Sequence, residues 1–307
     1  MYDSIIVGAG PAGMTAALYL LRSGKSVLLI EAESFGGQIA SAPNIENYPG
    51  IPKMDGSDFA DKLLSQVTDA GAEIEVSRVL EIKPEKKDGM DSNHDYFTVV
   101  TEFGSFQSKT VILACGVHHR TLGIENEAKY FSKGISFCAI CDGPFYKGKT
   151  ATVVGGGNSA VQEAIYLSDI CSKVYLIHRR DEFRAEKSTM DKIKQLENVE
   201  IITDSVIVDF YGDNKLNGLL VKNIKTSAEK KIDTDVLFEA IGKVPQNTFF
   251  ANIVALTEDG YIISDDKCAT SCPGIFVAGD CRAKNVRQLT TAVSDGSIAA
   301  LSAVDYM

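Results

Sequence analysis

The chain has no run near the roughly 18 consecutive apolar residues that a membrane-spanning helix needs. It also lacks a basic start followed by a long apolar stretch and a cleavage site. Residues 1–7, Met-Tyr-Asp-Ser-Ile-Ile-Val, lead straight into a glycine cluster. No targeting segment is therefore read, and a cytoplasmic protein without a membrane partner is expected. Basic residues are outnumbered, 31 Lys and Arg against 41 Asp and Glu, giving a net charge of −10. That balance argues against nucleic acid as a partner, because a polyanion demands clustered cations. The seven cysteines are an odd number scattered over 307 residues, which does not read as a secreted disulfide framework. Cys115, Cys171 and Cys281 stand alone and read as small buried hydrophobes. Cys268 and Cys272 could be combined with Cys138 and Cys141 into a four-thiolate zinc site, but no His lies near enough to support it, and no metal is expected.

What is present is a length suited to two domains, with 45% apolar and 23% charged residues, ordinary for a soluble enzyme. The start reads as strand (4–7), glycine turn, helix (11–23) and strand (26–30) ending at Glu31, a βαβ unit. A helix at about 57–70, with Ser57 as N-cap, follows an irregular segment. Strands are read at 73–76 and 80–83, a charged loop at 84–95, a hairpin from 96–101 and 105–108, and a separate strand at 110–114. A second βαβ unit occupies 151–154, 160–168 and 173–177, and more strands and hairpins fill 200–241. The tail carries a buried strand ending at Asp280 and a helix at about 288–304. Two copies of one unit point to an internally duplicated α/β architecture of two Rossmann-like, three-layer dinucleotide-binding domains. Because the tail has no glycine fingerprint of its own, one domain inserted into the other is the simplest arrangement.

The first glycine turn is Gly8-Ala9-Gly10-Pro11-Ala12-Gly13. Gly8 permits the tight turn, Gly10 lets backbone approach a pyrophosphate, and Gly13 permits close helix–strand packing. The helix N-terminus offers N–H groups and its dipole to phosphates. Glu31, at the end of the next strand, is where a carboxylate accepts from ribose hydroxyls, so this site reads as one for FAD or NAD. The second turn, Gly155-Gly156-Gly157-Asn158-Ser159-Ala160, is followed by a strand that ends in His178-Arg179-Arg180 instead of an acid, with Arg184 beyond. A base in that place fits the 2′-phosphate of NADPH. Two charge-assisted bonds of that kind favour NADPH over NADH by roughly 10²-fold. An ordinary surface charge cluster is the alternative. Asp280 in Gly279-Asp280 can place a carboxylate against a ribityl chain, which leans the first site toward FAD. Cys138 and Cys141 have the two-residue spacing that allows a reversible disulfide, and Asp142 follows as a candidate proton donor and acceptor. Metal binding, or two unrelated buried thiols, stays open on the residues alone.

Taken together these motifs resemble the low-molecular-weight, bacterial-type NADPH-dependent thioredoxin reductases, FAD-containing members of the pyridine nucleotide-disulfide oxidoreductases. The resemblance spans nearly the whole chain. It also takes in Gly36-Gly37-Gln38, Glu46-Asn47-Tyr48-Pro49-Gly50 and Arg287-Gln288. It implies an FAD domain at 1–114 and 243–307, with a smaller NADPH domain, carrying the dithiol, inserted at 115–242. It implies electrons passing from NADPH through FAD to Cys138–Cys141 and on to thioredoxin or a related small dithiol protein, with Asp142 as general acid–base. Flavin contacts would include Glu31, Gln38, Asn47, Asp280, Arg287 and Gln288. NADPH contacts would include Asn158, Ser159, His178, Arg179, Arg180 and Arg184. Enzymes of this look are homodimers that rotate one domain against the other, which makes Gly116 and Lys243-Val244-Pro245 the hinge candidates. Asn158 stands where the family often has an acid, Pro144 where it often has Phe, and the 84–95 loop looks long. A ferredoxin-linked reductase or a thiol oxidase would be expected to lose the second glycine turn and the Arg cluster. A non-catalytic flavin-binding redox sensor would not need the dithiol and Asp142.

Overall fold

The computed structural model describes residues 1–42, 44–86 and 95–307. The chain divides into two compact units, one made of 1–118 and 244–307 and the other of 119–243. The first unit begins with β1 (Tyr2–Val7), α1 (Pro11–Arg22) and β2 (Val27–Glu31). Next come α2 (Gly56–Asp69), β3 (Glu73–Val76), β4 (Val79–Glu85), β5 (Tyr96–Thr101) and β6 (Ser105–Leu113). The sheet order is β3-β2-β1-β6-β5-β4, with β1, β2 and β3 parallel to one another and β4 and β5 antiparallel. Two details depart from the sequence reading. The α2 N-cap is Asp55, whose carboxylate accepts from Ser57 N–H at 2.8 Å, so Ser57 lies inside the helix. Residues 105–108 and 110–114 are not separate strands. β6 is continuous because its first half pairs with β5 (Phe97↔Ser108) while its second half pairs with β1 (Val7↔Leu113). Of the charged loop expected at 84–95, residues 84–85 belong to β4 and 87–94 lie outside the described residues.

The chain leaves through β7 (His118–His119) into the second unit, which contains β8 (Ile135–Ser136), α3 (Ala139–Asp142) and β9 (Thr150–Val154). It continues with α4 (Asn158–Ser168), β10 (Lys173–Ile177), α5 (Lys187–Ile193) and β11 (Val199–Ile202). The strands β12 (Ser205–Tyr211), β13 (Gly218–Asn223), β14 (Glu229–Asp233) and β15 (Val236–Glu239) complete it. A parallel sheet of order β11-β10-β9-β15-β8 forms its centre. Val153, Val174, Leu176 and Phe238 pack with Ala160, Val161, Ala164 and Leu167 of α4 on one face. Val154, Ile177 and Leu237 face the antiparallel β12-β13-β14 sheet, through Ile207, Phe210, Leu219 and Ile232, on the other. Each fully buried aliphatic side chain contributes roughly 1.5–3 kcal/mol, so this two-sided burial is what the near-continuous apolar strands encode.

After β16 (Lys243–Val244) the chain returns to the first unit and supplies β17 (Ile275–Val277) and α6 (Leu289–Tyr306). β17 extends the first sheet by pairing in parallel with β6, Val277 opposite Leu113. Helix α6 lies directly against α1. A Cβ at Gly296 would come within 2.3 Å of Ala12 O, so only glycine admits this approach. The sheet's one face packs on α1 and α6 through Ile6, Leu29 and Ile112, and its other face packs on Phe250, Val254 and Ile262 of the returning segment. Each unit is therefore a three-layer α/β body, with its glycine turn at the C-terminal end of β1 in the first unit and of β9 in the second.

Candidate functional site

Gly8 has φ +109°, and a Cβ there would sit 2.4 Å from Ala114 O. A Cβ at Gly13 would sit 1.9 Å from Gly8 O. Both glycines are thus imposed by backbone packing. Gly10 is different: a Cβ there would meet no heavy atom within 4 Å. No side chain caps the start of α1, which leaves its first N–H groups for an anion. Glu31 is held at this turn, accepting from Ala9 N–H at 2.7 Å, Ala32 N–H at 2.8 Å and Glu33 N–H at 2.9 Å. Three of its roughly four lone-pair directions are spent, which leaves one for an outside hydroxyl. Gly36 N–H donates to Ala9 O at 2.9 Å, bringing Gly36-Gly37-Gln38 onto the same turn, and Gln38 Nε2 donates to Val117 O.

The returning segment adds the rest of this cluster. Gly279 (φ +83°) lies against Ala12, and Arg287 Nε donates to Asp280 O at 3.2 Å. The Arg287 guanidinium lies 4.0 Å from the Tyr261 ring centroid. Gln288 is the N-cap of α6 in a reciprocal box with Thr291, and its Oε1 accepts from Asn47 Nδ2 at 3.3 Å. Sequence reasoning missed the group that fixes this turn. Asp295, 5% exposed, accepts from Gly279 N–H at 3.1 Å, Arg282 Nη1 at 3.0 Å and Lys284 Nζ at 2.7 Å. An acid in the middle of an otherwise small-residue helix was its one signal. Two cations and a backbone donor offset the desolvation of that buried charge.

In the second unit Gly155 plays the part of Gly8, with φ +154° and Ala240 O only 2.4 Å from where its Cβ would be. Gly157, like Gly10, is open, and no side chain caps the start of α4. Arg184 N–H donates to Gly156 O at 2.7 Å, and Glu186 N–H donates to Asn158 Oδ1 at 2.8 Å. These bonds fold the 179–186 loop back onto the turn, beside the exposed Ser159. His178 lies apart from the exposed arginines. It is buried, its Nε2 pairs with Glu182 O at 3.2 Å, and its ring fills the space beside Gly156. Burial, and then the charges of Arg179, Arg180 and Arg184, lower its pKa, so the ring is neutral at pH 7. Asp181 is drawn off by Lys225 at 3.1 Å, and Lys225 also meets Asp204 at 3.0 Å. Arg179, Arg180 and Arg184 have no ion pair among the described residues and stand exposed. That donor set suits a phosphate monoester: three planar cations beside a helix start.

Cys138 and Cys141 are joined as a disulfide. Cys138 is the N-cap of the single turn α3, and Cys141 N–H points at Cys138 Sγ at 3.2 Å. Phe137 precedes them, stacked on His119 with centroids 4.6 Å apart, and Ile140 between the cysteines is 56% exposed. Burial pushes the Asp142 carboxyl up, while a hydrogen bond from Ser136 Oγ, 2.6 Å from Oδ2, pulls it back. Ser136 Oγ also accepts from Cys138 N–H at 3.2 Å. The other cysteines have raised pKa values through burial, Cys281 to about 11 and Cys268 to about 12, so they are inert thiols by comparison.

A disulfide with an adjacent acid, on a chain that carries two dinucleotide turns, defines a class. The model for the pyridine nucleotide-disulphide oxidoreductases matches residues 2–296, and the chain belongs to that family. It is a flavoprotein oxidoreductase whose cofactors are FAD and NADPH. Within the family it is similar to a thioredoxin reductase of Listeria monocytogenes, 38% identical over 100% of this chain and 94% of that one. A thioredoxin reductase of Bacillus subtilis is 37% identical over 100% and 95%. The crystal structure of thioredoxin reductase from Streptococcus pyogenes is 41% identical, with a TM-score of 0.94 over 100% of this chain and 98% of that one. The α/β class and the duplicated dinucleotide-binding architecture expected from the sequence accord with these matches.

Proposed function

We propose that this protein is a thioredoxin-disulfide reductase, which takes electrons from NADPH and delivers them, through FAD and the Cys138–Cys141 pair, to thioredoxin or a similar small dithiol protein. The observation that carries the reading is the disulfide with its half-buried acid, Asp142, in the same unit as a glycine turn flanked by arginines that have no ion pair among the described residues. FAD belongs to the first unit, at Gly8, Gly10, Gly13 and Glu31, with Gln38, Asn47, Asp280, Arg287 and Gln288 around it. Bound there, it supplies a two-electron carrier between nicotinamide and disulfide. NADPH belongs to the second unit, at Gly155, Gly157, Asn158 and Ser159. Arg179, Arg180 and Arg184 hold its 2′-phosphate, and His178 supports the loop from below. Cys138 and Cys141 carry the exchange, and Asp142 holds and returns the proton. Chain crossings at 118–119 and 243–244, next to Gly116 and Pro245, support these segments as hinges. The protein works in the cytoplasm as a homodimer; among the described residues no helix is long and apolar enough to cross a membrane.

The test is anaerobic. The yellow holoprotein is mixed with NADPH or with NADH, flavin absorbance is followed, and oxidised thioredoxin is then added. Fast bleaching by NADPH alone, followed by reoxidation with thioredoxin, is the expected result. Absence of bleaching by either nucleotide would refute the reading.

A further inference from the structure

Exchange between a dithiol and a disulfide moves two protons as well as two electrons, so the acid beside the cysteines must present one defined oxygen to them. We propose that Ser136 is the positioning residue that makes Asp142 do this, by committing Oδ2 to the sheet and leaving Oδ1 as the oxygen that carries the proton. This rests on reading Cys138–Cys141 as the reacting pair.

The direction of the hydrogen bonds gives the argument. Cys138 N–H can only donate, and it donates to Ser136 Oγ at 3.2 Å. The serine hydroxyl has one hydrogen, and its other close partner is Asp142 Oδ2 at 2.6 Å. While Asp142 is ionised, the chain Cys138 N–H to Ser136 O–H to Asp142 Oδ2 runs one way, so Oδ2 is occupied and Oδ1 is the open oxygen. A proton taken up by Asp142 goes to Oδ1. Ser136 itself does not move to suit: it is 8% exposed and sits in β8, paired opposite Phe238 of β15. The surroundings supply no competing charge. Tyr146 is the titratable neighbour, its own pKa raised by burial and then by Asp142 and Asp235. Beside Gly143 lie Tyr166 and Leu167 of α4 and Ile170 just beyond it. Burial and the Ser136 hydroxyl are the two influences on Asp142, and they oppose each other.

The exchange balances with Asp142 as the only proton carrier. One thiol of the reduced pair gives its proton to Oδ1, and its thiolate attacks one sulfur of the acceptor disulfide. A mixed disulfide forms, the acceptor S–S bond breaks, and the departing thiolate takes the proton back from Oδ1. The second thiol gives its proton to Oδ1 and attacks its partner cysteine's sulfur, closing Cys138–Cys141 and releasing the second acceptor thiolate, which takes that proton. Two electrons and two protons leave the enzyme, and Asp142 ends ionised, as it began.

The experiment compares pH–rate profiles of the wild-type holoenzyme, Ser136→Ala and Ser136→Thr. Oxidised thioredoxin and bis(2-hydroxyethyl) disulfide are used in parallel as acceptors, with NADPH bleaching of flavin as the control. In Ser136→Ala, bleaching stays at the wild-type rate and the inflection that Asp142→Asn abolishes moves to higher pH by about one unit, with a roughly tenfold loss on the acid side of the inflection. Ser136→Thr keeps the hydroxyl and restores the wild-type profile. Superimposable profiles for wild type and Ser136→Ala would overturn the assignment, and so would a Thr variant as impaired as Ala. Should Ser136→Ala not fold, Ser136→Gly, which also lacks the hydroxyl, takes its place, and a profile superimposable on wild type would equally overturn the assignment. An enzyme that reduces the small disulfide but not thioredoxin would refute the acceptor reading and leave Ser136 to be judged on the small disulfide.

Discussion

Glu239 ends β15 in the second unit and is 3% exposed, beside Glu127, which is 5% exposed. Glu127 accepts from Leu122 N–H and Gly123 N–H, both at 2.8 Å. Among the described residues, neither carboxyl oxygen of Glu239 has a donor in hydrogen-bond geometry. Burial first, and then the hydrogen bond and charge of Glu127, push Glu239 from 4.5 up to about 9, against a weak pull from Leu122 N–H, which is spent on Glu127. Glu239 is thus neutral in the fold and donates its own proton. The sign follows from the raised value. Below about pH 4.5 both folded and unfolded chains hold the proton and stability is complete. As pH rises toward about 9 the unfolded chain releases the proton and the folded one does not, so stability falls by about 1.4 kcal/mol per pH unit. Glu239→Gln keeps a neutral donor of the same size facing Glu127 and removes the titration. Urea unfolding of wild type and variant, at about pH 5.5 and about pH 8, reads the difference. The variant's advantage should grow by on the order of 3 kcal/mol between the two conditions. An advantage that is the same at both pH values, or a variant less stable at both, would refute the shared proton.

Four further outcomes are expected. Gly10→Ala should leave the melting temperature of the FAD-free protein unchanged while sharply reducing FAD retention. Gly13→Ala, whose Cβ would lie 1.9 Å from Gly8 O, should lose about 1–3 kcal/mol of stability before any cofactor is added; melting curves with and without FAD separate the two. Replacing Arg179 and Arg180 together by Ala should raise KM for NADPH on the order of 10²-fold and leave KM for NADH nearly unchanged. Steady-state kinetics with both nucleotides check this, and equal effects would remove the 2′-phosphate assignment. Cys141→Ser should abolish disulfide reduction while NADPH still bleaches the flavin, as followed by stopped-flow absorbance; loss of bleaching as well would count against the order of transfer.

What the sequence made legible is whatever depends on contacts near in the chain. The two βαβ units are encoded in apolar runs and glycines a few residues apart. Gly13 is demanded by Gly8 O five residues away, whereas Gly8 and Gly155 are crowded by Ala114 and Ala240, distant in the chain, and were legible only through the glycine pattern itself. The disulfide spacing is local. Ser57 misled because two capping residues stand close together, and the ionised Asp55 is the stronger acceptor for the Ser57 N–H. The division of β6 misled because its apolar half and its polar half serve different neighbours on one unbroken strand. Groups that act across long chain separations gave no such pattern. Asp295 meets Gly279 across 16 residues, and Glu239 meets Glu127 across a stretch containing most of the second unit. Nothing periodic marks either acid.

His178 shows where a local reading and a spatial one part. As a letter in His-Arg-Arg it belongs with the cations. In the fold, His178 lies just past the end of β10 with its N–H still donating to Ile202 O and its ring turned inward against Gly156, while Arg179 and Arg180 stand in solvent. One residue's step along the chain thus separates a neutral support from a charged clamp. Its depressed pKa keeps the support uncharged where a fourth cation would repel the three arginines. The specificity proposed for the second turn therefore depends on His178 as much as on the arginines: it holds the loop that carries them, without competing for the phosphate.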